Sequence, residues 1–181
     1  MHPNLADATG RGQGKGPAPL RAIWRGRPSA YCRGMTTVNR TFDVRPDPAV
    51  VLDYLKDFGN AEEWDPGTES CTRQDSGPVQ VGSTWHNVSK IAGVRTELTY
   101  TLQQLTDDTI VLVGHNDTAR SVDTITVVPS PDGPGSRITY EAEIALKGAA
   151  KIADPVMKIV FEKIGSDTED DMTTVLNRLA A

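Results

Sequence analysis

Ala153-Asp154-Pro155-Val156-Met157, running on to Leu179, is the stretch that decides the fold. An aspartate before a proline marks a helix start: the carboxylate can cap free backbone N–H groups, and proline at the first helical position gives up only an N–H that had no partner. Met157, Phe161, Ile164/Gly165, Thr168, Met172, Val175/Leu176 and Leu179 then recur at three- and four-residue steps and share one stripe. Unbroken from Pro155 to Ala180 the helix has 26 residues, roughly 39 Å at 1.5 Å per residue. That is about twice a usual globular helix, and only a large sheet can bury such a stripe. Its middle is Gly165 and Thr168, where a packed core would take Leu or Ile. Either the helix meets the sheet closely there, or it leaves room for another molecule.

The preceding chain supplies the sheet. Arg137–Lys147 alternates, with Ile138, Tyr140, Ala142, Ile144 and Leu146 inward and Glu141 and Glu143 outward, and Gly148 ends it. Val94–Leu105 alternates as clearly, with Val94, Thr96, Leu98, Tyr100 and Leu102 on one face. Between and before these lie Thr68–Asp75, Ser83–Ile91, Thr109–Asn116 and Ser121–Val128, separated by Gly, Pro and Asp turns such as Ala92-Gly93. Thr37–Val44 reads as the first strand. Asp47-Pro48 then repeats the helix-start signature ahead of Val51, Leu52, Leu55 and Phe58, and a second helical turn runs through Ala61–Trp64. The order β-αα-ββββββ-α predicts an antiparallel meander that curls around the final helix.

The 181 residues suit one domain with an appendage. Residues 1–34 carry six Lys/Arg against one Asp, a net +5, and are rich in Gly and Pro. They read as a disordered basic extension, with Met35 the preferred start of the protein proper. No signal-peptide core is present there. Residues 35–181 carry 13 Lys/Arg against 23 Asp/Glu, a net −10, which argues against nucleic acid as partner. No apolar run approaches the ~20 residues of a membrane span, so no membrane insertion is expected. Cys32 and Cys71 form neither a disulfide framework nor a metal pattern, which fits a reducing cytoplasm.

Asp47-Pro48-Ala49-Val50-Val51 with Leu55, Phe58, Asn60 and Trp64, then Ser136-Arg137-Ile138-Thr139-Tyr140-Glu141-Ala142-Glu143 and Leu146-Lys147-Gly148, resemble the START-like superfamily (SRPBCC, Bet v 1-like), in particular its polyketide cyclase/dehydrase branch of small bacterial proteins. The likeness spans about Thr37 to Ala180. It implies an α+β helix-grip fold, with a curved antiparallel sheet of about six or seven strands around a long C-terminal helix and two short helices after the first strand. It further implies an apolar cavity between sheet and helix. The superfamily includes lipid and hormone binders, polyketide aromatases and cyclases, and coenzyme-Q-binding proteins, so fold alone does not choose a function.

On this reading 35–181 is a ligand-binding domain. Its expected lining is Trp64, Trp85, Asn87, Ser89, Thr96, Leu98, Tyr100, Tyr140, Phe161, Gly165 and Thr168, an apolar surface with a few polar groups. His86, Val88 and Lys90 are expected to face outward. Tyr100, Tyr140, Arg40 and His115 are the candidates for polarising a carbonyl or moving a proton. The run Ile110-Val111-Leu112-Val113 leaves the orientation of His115 open; inward, beside Asp117 or Asp123, it would make an acid–base site. No metal-ligand spacing, phosphate-cradling loop or Gly-x-Ser-x-Gly is present, and no cofactor is expected. The acidic run Asp167, Glu169, Asp170, Asp171 reads as a solvated helix face. Three functions follow. The first is binding of a hydrophobic or aromatic small molecule, as monomer or homodimer. The second is a cyclase or aromatase acting on a poly-ketone, which can run on positioning with modest acid–base help. The third is an interaction subunit.

Overall fold

Pro48 and Pro155 stand at the starts of α1 (Pro48–Leu55) and α3 (Pro155–Asn177), where a missing N–H costs no hydrogen bond. The computed structural model describes residues 35–91, 93–146 and 155–180. The expectations for 1–34, Ala92, Gly148, the Asp154 cap and the Met157 side chain lie outside the described residues. Asp47 does occupy the N-cap position of α1, but its side chain makes no capping bond. Its backbone carbonyl instead accepts from the N–H groups of Val50 and Val51 at 3.0 and 3.2 Å. α3 has 23 residues and continues as a three-residue 3₁₀ turn, Arg178–Ala180, so the helical stretch reaches the end that the stripe predicts.

β1 (Met35–Val44) is followed by α1, a 3₁₀ turn at Phe58–Asn60 and α2 (Ala61–Trp64). Then come β2 (Thr68–Arg73), β3 (Thr84–Ile91), β4 (Val94–Leu105), β5 (Thr109–His115), β6 (Ala119–Pro129) and β7 (Ser136–Leu146). These form one seven-stranded antiparallel sheet in the order β1-β7-β6-β5-β4-β3-β2. Short turns keep consecutive strands adjacent, and β1 closes against the last strand. Register shifts at Thr68/Ser70 and Leu102/Gln104 mark bulges, which bend a strand and increase its twist. The result is the expected helix-grip architecture, a curved open sheet holding one long helix.

Period-2 alternation sends Leu98, Leu102, Ile110, Leu112, Ile125, Val127 and Ile138 to the inner face, where all are buried. Phe161, Met172, Val175 and Leu176 of α3 and Val51, Leu52, Leu55 and Phe58 from the α1 region close over them. Each fully buried side chain of this size contributes about 1.5–3 kcal/mol. No described helix is long and apolar enough to cross a membrane.

α3 is fastened to β1. A Cβ placed on Gly165 would lie 2.4 Å from Cγ1 of Val38. Next to this contact Arg40 Nη2 donates to the Glu162 carbonyl at 2.9 Å and to Glu162 Oε2 at 3.0 Å, with Glu169 Oε2 3.8 Å from its Nε. At the far end Arg45 donates through its backbone N–H to Asn177 Oδ1 at 2.8 Å and through Nη2 to the Asn177 carbonyl at 2.9 Å, satisfying a carbonyl that the helix end leaves open. Of the two explanations for the gap in the stripe, close approach therefore applies at Gly165. Gly165→Ala should gain up to about 1 kcal/mol in helix propensity but lose about 1–3 kcal/mol to overpacking. Denaturant unfolding should show a net loss of about 1–2 kcal/mol, largely restored when Val38→Ala is added. An unchanged midpoint for the single variant would mean that β1 yields to the methyl group without cost.

Candidate functional site

Away from the Gly165 contact, α3 and the sheet separate around a cavity of about 540 Å³. Its wall is mainly apolar, with Val38, Leu98, Ala142, Ile144, Phe161 and Ile164 among the lining residues. One part is not. Asp65, Tyr100, Ser121, Asp123, Tyr140 and Thr168 also face the space.

Strand parity explains how these groups meet. On β6 the face that carries Ile125 and Val127 also carries Ala119, Ser121 and Asp123, all buried. Tyr140 on β7 sits opposite Ile125 and reaches two residues along, where its hydroxyl donates to Asp123 Oδ1 at 2.9 Å. Ser121 Oγ donates to Asp123 Oδ2 at 3.0 Å. Tyr100 comes from farther away, two strands over. Gly114 of β5 lies between, paired with Tyr100 on one side and Ser121 on the other. A Cβ on Gly114 would stand 2.6 Å from Tyr100 Cζ, so only glycine lets the ring lie across β5. The Tyr100 hydroxyl is thereby turned toward Ser121 and Asp123. Phe58 packs on Tyr100 with ring centroids 4.5 Å apart, and Trp64 meets Tyr140 edge-on at 6.2 Å.

Burial pushes the Asp123 carboxyl up to about 6 and the charge of Asp65 adds to this, against the hydroxyls that favour the ionised form. Burial likewise raises Asp65 above the ordinary carboxylate range. Asp65 accepts from the Gly67 N–H at 3.0 Å and from Thr68 Oγ1 at 2.7 Å. Behind it runs a chain: Ser89 Oγ donates to Asn87 Oδ1 at 2.6 Å, and Asn87 Nδ2 donates to Thr68 Oγ1 at 2.9 Å. Burial and the Asp123 charge hold Tyr100 and Tyr140 well above the usual phenol range. Neither Asp65 nor Asp123 has an ion-pair partner among the described residues. Cys71 offers no ready thiolate, because burial pushes its thiol up to about 12. No group of three or more His, Cys, Asp or Glu among the described residues could hold a metal ion.

Of the residues singled out in the sequence, Ser89, Thr96, Leu98, Tyr100, Tyr140, Phe161, Gly165 and Thr168 line the cavity. Trp64, Trp85, Asn87 and Arg40 do not. Trp85 is fully buried and donates through Nε1 to Asp57 Oδ1 at 3.1 Å, which locks β3 to the start of the 3₁₀ turn. Trp64 packs behind Tyr140, and Asn87 orients Thr68 from within the wall. Arg40 is committed to Glu162 and Glu169. His115 is exposed, since β5 buries Ile110, Leu112 and Gly114 and turns Val111, Val113 and His115 to the other side. It belongs to no acid–base site in the cavity. Asp65 and Ser121 escape the sequence reading and Asp123 enters it only as a possible neighbour of His115, although the parity of Ile125 and Val127 carries the signal for the last two.

Residues 35–181 match the family model described as polyketide cyclase / dehydrase and lipid transport. No curated protein matches the sequence. Among solved structures, the Zhui aromatase/cyclase from Streptomyces sp. R1128 superposes with a TM-score of 0.67 at 14% identity, over 81% of this chain and 96% of that one. A START superfamily protein from Mycobacterium smegmatis gives 0.62 at 13% identity, over 79% and 98%. The di-domain ARO/CYC BexL from the BE-7585A biosynthetic pathway gives 0.59 at 11% identity, over 82% of this chain and 50% of that one. At these identities the likeness is one of fold.

A carboxyl that keeps its proton to about pH 6 when folded, but only to about pH 3.9 when unfolded, binds more protons in the native state between those values. Stability therefore falls as pH rises through that window. Asp65 acts in the same direction, while the lowered Asp43, Asp75 and Asp108 act only below it. Asp123→Asn should remove its share of the slope. Denaturant unfolding at pH 4.5 and 7.5 should show the variant gaining on the parent by about 2–3 kcal/mol at the higher pH. Parallel stability curves would mean that Asp123 titrates normally.

Proposed function

The chain belongs to the polyketide cyclase/dehydrase and lipid transport family, and from that premise we propose that it binds a hydrophobic or aromatic small molecule, of polyketide, lipid or quinone type, between the sheet and α3. The observation that carries this reading is the cavity itself. Its volume of about 540 Å³ falls within the ~300–1,000 Å³ of small-molecule sites, and an apolar wall with a few convergent polar groups is the usual make-up of such sites. A packed core would fill that space with side chains.

A second reading is favoured by one feature, Asp123. A carboxylate near pH 6, facing the cavity and flanked by two tyrosine hydroxyls, is suited to accept a proton from a carbon beside a ketone and return it to an oxygen, as cyclisation or dehydration of a poly-ketone requires. In this reading Asp123 is the base, and Tyr100 and Tyr140 orient it and the carbonyl. Arg40 has no part, being spent on α3.

Native mass spectrometry of the full chain, first as purified gently and then with lipids, quinones and aromatic polyketides, should show a bound apolar species. Ile144→Trp, which puts bulk into the lining without touching the α3–β1 contact, should weaken that binding at least about tenfold with the fold intact. A clean apo mass across the whole panel would remove the binding reading and shift weight to a partner-binding role. Turnover of a poly-ketone that Asp123→Asn abolishes while the complex still forms would establish the enzyme.

A further inference from the structure

We propose that the cavity selects uncharged ligands bearing a hydroxyl donor, such as a phenol, an enol or an alcohol, seated on the Asp123–Ser121–Tyr140 wall, and that it rejects carboxylate ligands such as free fatty acids. This rests on the binding reading above and adds the polarity of the occupant.

The argument is an inventory of donors and acceptors. On the β wall of the cavity the Tyr140 and Ser121 hydroxyls donate to Asp123. Asp65 takes the Thr68 hydroxyl and the Gly67 N–H, and the Ser89 hydroxyl is turned to Asn87. The Tyr140, Ser121, Thr68 and Ser89 protons and the Gly67 N–H are therefore committed within the protein. What the wall presents to a ligand is lone pairs: the unused positions of Asp123 and Asp65 and the oxygens of Tyr140 and Ser121. Such a surface satisfies an incoming O–H and leaves an ether or ester oxygen without a partner, which a closed apolar site penalises.

Charge points the same way. Two carboxylates already face the space, and the charge of Asp65 disfavours ionisation of Asp123. A third carboxylate placed beside Asp123 would be repelled. Arg120 does line the cavity. However, it lies three residues from Asp123 along β6, about 10 Å at 3.3 Å per residue, on the opposite parity and beside the exposed β5–β6 turn at Thr118. A cationic amine is also less suited than a neutral donor. Two hydroxyls, one on each oxygen, already donate to the Asp123 carboxylate, so what remains is a set of acceptor positions and not a bare anion.

Isothermal titration of the full chain at pH 7.5 with 2-naphthol, its methyl ether, 2-naphthoate and a naphthylmethylammonium salt tests this. Naphthol should bind about tenfold or more tightly than the ether, which differs by the donor alone. It should exceed naphthoate on the order of a hundredfold, and the ammonium probe should not outbind it. Asp123→Asn, which keeps the shape but supplies an N–H donor, should reduce the naphthol-to-ether ratio below about threefold and strengthen naphthoate. Its circular dichroism and melting curve establish that it is folded; if it is not, the four probes on the parent protein decide. Equal or tighter binding of naphthoate, the ether or the ammonium probe by the parent would overturn the selectivity while sparing the binding reading. So would an unchanged preference in a folded Asp123→Asn. Failure of all four probes to bind would overturn the selectivity, while the binding reading stands or falls with the mass-spectrometry panel.

Discussion

Where α3 crosses β1 there is no side chain to hold the two apart. Gly165 brings the helix backbone against Val38, and Arg40 spans the seam to a helix carbonyl and two glutamates. Arg45 does the same at the C-terminal end. A long helix pinned along one edge of a curved sheet cannot also lie at packing distance from the middle of it. The curvature that lets β1 reach α3 carries β4, β5 and β6 away from the helix, and the space between them is the cavity. Contact at the edge and emptiness at the centre are thus two results of one geometry. Close approach and spare room are both real and meet on the stripe: Gly165 makes the contact and also borders the space, which Thr168, one turn further on, faces as well.

The polar end of that space is built by a second missing side chain. Tyr100, Gly114 and Ser121 form a row across β4, β5 and β6, and the gap at Gly114 lets a tyrosine from one strand serve a carboxylate two strands away. Leaving a carboxylate in an apolar wall is expensive unless it is hydrogen-bonded. The Tyr140 and Ser121 hydroxyls reduce the cost without removing it, which is why Asp123 is held near pH 6 and not at the low value of a carboxylate paired with arginine. Asp75, paired with Arg73 on the surface, shows the contrast: its carboxyl lies far below the ordinary range.

What can be read from the sequence divides along the same line. Helix starts at Pro48 and Pro155, the alternation of β4 and β7 and the length of α3 are set by neighbours in the chain, so local pattern suffices. The architecture follows from them. The site does not. Trp64 and Trp85 are as large and as apolar as any cavity lining, and only the positions of Phe58 and Asp57 place them behind the wall. Arg40 does face the helix, as its alternation in β1 predicts, but the partner that consumes it is 122 residues away at Glu162. The run Ile110–Val113 conceals the orientation of His115, because an apolar strand edge looks the same from both sides. Asp123 is the instructive case. Its face follows from Ile125 and Val127, but its meaning requires Tyr140 from β7 and Tyr100 from across Gly114, and no spacing in the chain encodes a meeting of three strands.

Such a wall works against the stability of the protein that carries it. An unfilled volume forfeits the dispersion contacts its lining would otherwise make, and an ionised Asp123 adds a penalty above pH 6. A valine at 123 and larger side chains on β4 and β7 would remove both costs and yield an ordinary core. The fold tolerates them because Leu102, Ile110, Leu112, Ile125, Val127 and Ile138 form a buried core away from the cavity. A ligand that fills the space and satisfies the lone pairs would return part of the cost, by about 2.7 kcal/mol at a hundredfold excess over its Kd. Occupancy and stability are then coupled through the same few atoms. On that account the groups most costly to fold, Asp123 and Asp65, are those best placed to discriminate what enters.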